Sequence, residues 1–483
     1  MKTNDYSLRT CGTFAAAILS LGVMAFLIGA SPAPACGDPT SEPDLKKLAH
    51  LAVSENAPEA LRAAALLRAR GPEGLEAFLA VHGEAIQRHL SATALFPNSS
   101  NSAGADWQRL NRALDTISGQ RDCSASRLYW HTDFEKAKAS ARSSGKPILS
   151  LRLLGRLDEE FSCANSRFFR TALYANAEVS QALRERFILH WQSVRPAPKI
   201  TINFGDGRKL ERTVTGNSIH YVLDVDGRPI DALPGLYGPK AFLRGLTRAE
   251  NTATQFSSLA PEQREEFLRR YHQARLAAIA EEWNNDLVKV GGSLATSTTA
   301  SSVAPVANKA PTAQAAAKIT HGKRQLELPL LESLEPRSSM DSKALEARMD
   351  DATWAKIALL HAEDARLDQG SRLLMAKKNP DAFAAGKLAL SKMFVEDPLI
   401  RAARQFERSM AEDTVRNEYL FHAKIHDWFA QDPAPTKDVG TLNEKVYAEL
   451  FLTPSSDPWL GLKPNDAYSA LDKDGIVRPT TTF

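Results

Sequence analysis

The chain has 483 residues, 43% hydrophobic and 24% charged, enough for about three folded units and unlike a collagenous, coiled-coil or mainly disordered composition. Lysine and arginine number 60 against 57 aspartates and glutamates, and the net charge of +3 gives no support to a nucleic-acid partner, which would want a clustered basic excess. Four cysteines in this length are too few for a disulfide scaffold.

Residues 1–35 read as an export signal. Lys2 and Arg9 precede an uncharged run over 14–30, and Ala33-Pro34-Ala35-Cys36 supplies small residues for a cleavage site. Cleavage after Ala35 makes Cys36 the first mature residue, and the site then resembles a bacterial lipoprotein signal, with Ala33 where a Leu-like residue is usual. Left uncleaved, the run is an anchor slightly short of the ~20 residues that span a bilayer. Contact with a membrane is expected only through that anchor or a lipidated Cys36. Either way the mature chain is expected in an exported location (periplasm, cell envelope or outside the cell). Its thiols there are Cys36, Cys123 and Cys163, in an oxidising compartment.

Residues 42–120 have helical periodicity, with Leu45, Leu48, Ala49 and Ala52 on one face and Gly71-Pro72-Glu73-Gly74 between two helices. Residues 128–248 alternate between helix-like and strand-like periods. Helices are expected over 132–143 and 164–186, strands over 148–153, 187–191, 219–223 and 229–233, and a hairpin over 199–204 and 209–214 turning at Gly205-Asp206-Gly207. A charged helix occupies 260–290. Residues 291–320, rich in Ala, Ser, Thr and Pro, read as a flexible linker. A helical bundle follows over 326–453, then an irregular tail over 454–483. The expected architecture is multidomain: an α/β sandwich with a mixed sheet, flanked by an N-terminal helical cap and a C-terminal all-α domain.

The stretch 128–248 resembles the thioredoxin-like superfamily, in particular its secreted bacterial members. The resemblance rests on Phe134-Glu135-Lys136-Ala137-Lys138-Ala139 with Ser144-Gly145-Lys146-Pro147-Ile148-Leu149, on Asn176-Ala177-Glu178-Val179 with Leu183-Arg184-Glu185-Arg186-Phe187-Ile188, and on Tyr221-Val222-Leu223-Asp224-Val225-Asp226-Gly227. These motifs are short, and their order and spacing carry the likeness over about a quarter of the chain. The superfamily places C-x-x-C between the first strand and the next helix. Here that position reads Cys163-Ala164-Asn165-Ser166, so Cys163 matches the attacking cysteine and Ser166 replaces the resolving one. Ser162 stands for the usual tryptophan, and Ser218 falls where a cis-proline is expected.

A cysteine where a helix begins feels unpaired N–H groups that favour thiolate, with Arg167 and Arg170 adding to this and Asp158, Glu159 and Glu160 opposing it. One reading is therefore monothiol thiol–disulfide exchange, or capture of an unknown protein partner in a mixed disulfide, through Cys163 with Ser166 as a helix-start hydroxyl. Turnover would need an external thiol or Cys123. The other reading is a non-catalytic binding or scaffold protein of the cell envelope with a degenerate thioredoxin fold. His190 and His220 carry no local signature of a cysteine hydrolase. No cofactor is expected.

In the bundle, Glu346-Ala347-Arg348-Met349 ending at His361 aligns with Glu407-Arg408-Ser409-Met410 ending at His422, as a duplicated helical unit would. Glu418, His422 and His426 follow at i, i+4 spacing and could offer a carboxylate and two imidazoles to a metal, with His361, Asp364 and Asp368 as a comparable face. Solvated helix pairs are the simpler account of the same spacing.

Overall fold

The computed structural model describes residues 44–95, 104–213, 216–291, 351–378, 398–431 and 436–460. The export segment with Cys36, nearly all of the linker expected over 291–320, parts of the bundle expected over 326–453 (326–350 among them) and the tail beyond 460 lie outside these residues. What is described is a mixed α/β structure with helical regions on its N-terminal and C-terminal sides.

The N-terminal region is four helices: α1 (Leu45–Leu51), α2 (Ala57–Ala69), α3 (Pro72–Leu95) and α4 (Ala105–Ser118). Asp44 and Asn56 cap α1 and α2 through side-chain oxygens that accept from the first free N–H groups. Leu67, Phe78, Ile86, Leu114 and Ile117 form an apolar core of their own, which also holds Cys123. Arg68 ties this region to the next, its guanidinium donating to Ile117 O at 3.0 Å and Trp130 O at 3.1 Å. Gly119 ends α4 at φ +68°, a left-handed conformation that favours glycine, with the Arg68 guanidinium packed against it.

Next come α5 (Phe134–Ser144), capped by Asp133 and ended by Gly145 at φ +70°, and β1 (Ile148–Leu154). The chain then forms α6 (Ala164–Phe168), running on as a wide turn over Phe169–Leu173, and α7 (Ala177–Arg186). The single helix expected over 164–186 is thus broken. Asn176 is the reason: its side chain accepts from Val179 N at 3.1 Å and restarts the helix.

Strands β2 (Ile188–Arg195), β5 (Ser218–Leu223) and β6 (Pro229–Pro234) join β1 in a four-stranded sheet of order β2-β1-β5-β6. The β1–β2 pair is parallel and the other two pairs are antiparallel. Strands β3 (Lys199–Asn203) and β4 (Lys209–Thr213) form a separate hairpin at the expected place. Every residue of β1, β5 and β6 is buried, so the sheet is covered on both faces. Helix α8 (Pro239–Ser258) packs on β5 and β6, and α9 (Pro261–Lys289) follows it.

The C-terminal helices are α10 (Asp351–Leu360), a tight turn Ala362–Ala365, α11 (Gln369–Lys378), α12 (Pro398–Arg416) with a wide turn Asn417–His422, α13 (Ala423–Gln431), and α14 (Val439–Lys445) with a wide turn Val446–Leu450. Their apolar residues and those of the sheet belong to one continuous core, running from Leu151 and Tyr221 to Phe406, Met410, Leu442 and Tyr447. The loop after β6, Gly235-Leu236-Tyr237-Gly238, is where the two meet. Asn417 donates to Leu236 O at 2.8 Å, and Gly238 N donates to Thr414 Oγ1 at 2.8 Å.

Gly238 leaves no room for a side chain, since a Cβ would overlap the carbonyl of Asp364. In urea denaturation, Gly238→Ala should lower stability by about 1–3 kcal/mol, because backbone must move on both sides. Gly83, inside α3 with nothing within 4 Å of its would-be Cβ, is the matched comparison. Gly83→Ala should be neutral or stabilising by up to about 1 kcal/mol.

Candidate functional site

Two clusters carry chemistry, one around Cys163 and one where β6 meets α12 and α13. Cys163 holds the position just before α6, and its N–H donates to Leu154 O at 3.0 Å. Ser166 donates its hydroxyl to Cys163 O at 2.9 Å, so that hydroxyl braces the first turn of the helix. Arg170 is buried and donates to the carbonyls of Leu157, Glu159 and Glu160, which shapes the preceding loop. Arg167 reaches Thr213 Oγ1 at 3.0 Å. The acidic residues point elsewhere: Asp158 and Glu159 pair with Arg156, and Glu160 with Arg121 and Lys378.

The expectation of a reachable thiol meets a correction. Cys163 is a free thiol with 0% exposure, and Ser166 is equally buried. The cover comes from the loop before β5 and from the far end of the chain. Asn165 donates to Gly216 O, and Asn217 donates to Thr453 Oγ1 at 3.0 Å. Tyr447 donates to Asn217 O at 3.1 Å, and Arg195 donates to Asp457 O at 2.8 Å and Pro458 O at 3.0 Å. Residues 439–460 thus lie strapped across this side of the α/β layer. Cys123 is no resolving partner either. It too is free and buried, in the separate N-terminal core, and burial followed by the Asp115 carboxylate pushes its thiol up to about 12. His190 bonds Ser150 Oγ at 2.8 Å and His220 bonds the Tyr174 hydroxyl at 2.6 Å, so both imidazoles have partners other than sulfur.

The second cluster is built from separate parts of the sequence. Asp231 sits on β6, the otherwise apolar strand Pro-Ile-Asp-Ala-Leu-Pro, almost fully buried. Its Oδ1 accepts from Ala232 N at 2.8 Å and lies 3.0 Å from His422 Nε2, while Oδ2 accepts from the Tyr271 hydroxyl at 2.6 Å. His422 Nδ1 lies 2.8 Å from Glu418 Oε2. Glu418 also takes a hydrogen bond from Arg275 and stands 3.6 Å from Arg248. One turn on, His426 stacks near His422 with ring centroids 4.1 Å apart, and its Nδ1 lies 2.7 Å from His272 Nδ1. His426 Nε2, fully buried, has no hydrogen-bond partner.

Electrostatics here follow from burial and pairing. Burial opposes charge on His422, but the Glu418 and Asp231 carboxylates outweigh it and push the imidazole up to about 9. Burial likewise opposes charge on Asp231, and the imidazoles around it hold the carboxyl well below its usual range. Burial, then the charge on His422, drives His426 well down, so it stays neutral. Among the described residues, one donor atom from each of Asp231, His422 and His426 lies within 4.8 Å of the others, the spacing of a metal-ligand set.

Of the sequence candidates, Glu418, His422 and His426 are therefore brought together. His361 is not with them. Helix α10 stops at Leu360, so no i, i+4 face with Asp364 and Asp368 forms. His361 instead lies 2.5 Å from Asp286 Oδ2, and hydrogen bonding to Asp364, against burial, raises its pKa. Asp368 accepts from Ala177 N at 2.8 Å and Ser371 N at 2.9 Å. His361 and Glu418 do share the lining of one cavity of about 260 Å³, with Arg244, Arg248, Asp286 and Asp364. Asp231 and His272 escaped the sequence reading. The one available signal was an aspartate inside a strand with no other polar residue.

Comparisons with protein-family models, with curated proteins and with solved structures find no match. Among the described residues, no helix is long and apolar enough to cross a membrane.

The neutral core histidines set a pH dependence. Burial pushes both His190 and His220 down to about 3 from 6.5. The unfolded chain therefore gains protons below about pH 6.5 while the folded chain does not. The contribution of these two histidines is complete above that pH and is lost as pH drops towards 3, by about 1.4 kcal/mol per pH unit for each. Urea midpoints at pH 7 and pH 5.5 should differ by less in His220→Gln than in the native sequence.

Proposed function

We propose that this chain is an exported, non-catalytic binding or scaffold protein of the cell envelope, in which a thioredoxin-like α/β layer serves as structural core. The observation that carries the reading is the sealed thiol. An exchange enzyme must present its sulfur to a partner disulfide. Here Cys163 is fully buried near Tyr447, which bonds Asn217, and Asn217 in turn bonds Thr453. Serine at the resolving position supports the same conclusion, because a hydroxyl cannot release a mixed disulfide.

The thioredoxin-like part of the proposal is supported by strand order. A parallel pair β1–β2 is extended by the antiparallel strands β5 and β6, with Cys163 between β1 and the next helix and Ser218 opening β5. The binding part is supported by a groove of about 890 Å³ where α3, α7 and α11 converge, lined by Gln87, Arg127, Gln181, Arg184 and Lys377 among others. Export is read from the N-terminal segment alone.

Thiol labelling of the folded chain, with peptide mapping by mass spectrometry, tests the proposal. Cys123 and Cys163 should resist a small maleimide in buffer and react fully in urea. Rapid labelling confined to Cys163 in the folded chain would overturn the non-catalytic reading and restore thiol exchange.

A further inference from the structure

We infer that Asp231, His422 and His426 form a binding site for one divalent transition-metal ion of the zinc class. This goes beyond the scaffold reading and does not depend on it.

The first argument is the donor set. Two imidazole nitrogens and one carboxylate oxygen, with no thiolate, suit zinc and its first-row neighbours; calcium and magnesium ask for oxygen ligands throughout. Tetrahedral zinc with bonds near 2.0–2.1 Å needs ligand atoms about 3.3 Å apart. His422 Nε2 and Asp231 Oδ1 are already 3.0 Å apart, and all three donors fall within 4.8 Å of one another. From that upper bound, no donor pair has to close by more than about 1.5 Å to reach tetrahedral spacing.

The second argument is the support behind each ligand. Metal-bound histidines usually donate the other ring N–H to a fixed acceptor, which sets the tautomer. His422 Nδ1 faces Glu418 at 2.8 Å, giving a carboxylate–imidazole pair behind one ligand. His426 Nδ1 faces His272 Nδ1 at 2.7 Å, an arrangement in which one ring must donate and the other accept. With His426 donating, its Nε2 is left with a bare lone pair. Asp231 is held on its far oxygen by Tyr271 at 2.6 Å. All three ligands are thus oriented from behind.

The third argument is the unmet nitrogen. His426 Nε2 is fully buried and unpartnered, a state that costs about 1–3 kcal/mol when nothing satisfies it. The His422–Asp231–Glu418 bonds on their own are explained by a protonated His422 between two carboxylates. They leave His426 unexplained, and a metal ion accounts for both. On binding, the proton at His422 Nε2 leaves to solvent and the ion takes its place beside Asp231. Glu418, which touches His422, also lines the 260 Å³ cavity, although none of the three ligands does. Buried between β6 and the turn that leads into α13, the ion would act as a cross-link between the sheet and the C-terminal helices.

The intact chain, stripped with chelator and shown folded by circular dichroism, is titrated with Zn2+ by calorimetry and with Co2+ by visible absorption. One equivalent should bind at micromolar Kd or tighter, cobalt should give intense ligand-field bands, and the unfolding temperature should rise with Zn2+. Asp231→Asn and His426→Gln should abolish binding. Should either fail to fold, Glu418→Gln, which keeps size and one hydrogen bond, should weaken binding about 10- to 100-fold. A folded native chain that takes up no Zn2+, or uptake unchanged in any folded variant of the three, overturns the site.

Discussion

The buried carboxylate of Asp231 constrains everything around it. A charge removed from water on the buried edge strand of a sheet has to be matched by groups that the sheet itself does not hold. Its own strand offers only Ala232 N; the rest comes from Tyr271 on α9 and His422 beyond α12. Withdrawing one partner from such a group costs about 3–5 kcal/mol, a large share of a domain's stability. The need for a matching cation therefore fixes where the C-terminal helices dock. The wide turn Asn417–His422 answers it with several residues at once: Asn417 on Leu236 O, Tyr419 on Asp286, Glu418 and His422 on one another. Inserting such a turn rotates the following helix relative to a regular one, which aims His422 and His426 together at β6.

Docking at β6 has a consequence for the adjoining start of β5, whose Ser218 O accepts from Gly235 N at 2.8 Å. Once α12 and α13 are fixed, residues 439–460 run back over the loop before β5, where Tyr447 and Thr453 grip Asn217. Cys163 lies beneath. The sulfur behaves as a small apolar side chain in the shared core, near Tyr174 and Tyr447. On this account the helical layer and the closed thiol are two results of one packing arrangement.

Much of the architecture was legible in the sequence because it is local. Period-two runs such as Ile148-Leu149-Ser150-Leu151 and the Gly205-Asp206-Gly207 turn place the hairpin and most strands within a residue or two of their observed ends, while β2 runs four residues beyond the expected 187–191. Capping residues mark several helix starts in the same way. The break at Asn176 was missed because an asparagine inside an apolar helical period reads equally as interior or cap. Glu418, His422 and His426 were recognisable as one helix face, since spacing within an element is written in sequence. Asp231 and His272 were not, because they join that face only through the packing of a strand and a helix some 150–190 residues earlier in the chain. His361 lies apart from them for the converse reason: its face with Asp364 and Asp368 needed a continuous helix, and α10 ends before it. The closure over Cys163 also depends on contacts between residues more than 200 apart.

Hydrogen–deuterium exchange of the intact chain, read peptide by peptide, tests most directly whether sheet and C-terminal helices are one cooperative body. The account predicts slow exchange of similar depth in 148–154, 218–234, 406–429 and 439–451, all opening together near the unfolding midpoint. Fast exchange throughout 406–451 beside a protected sheet would contradict it.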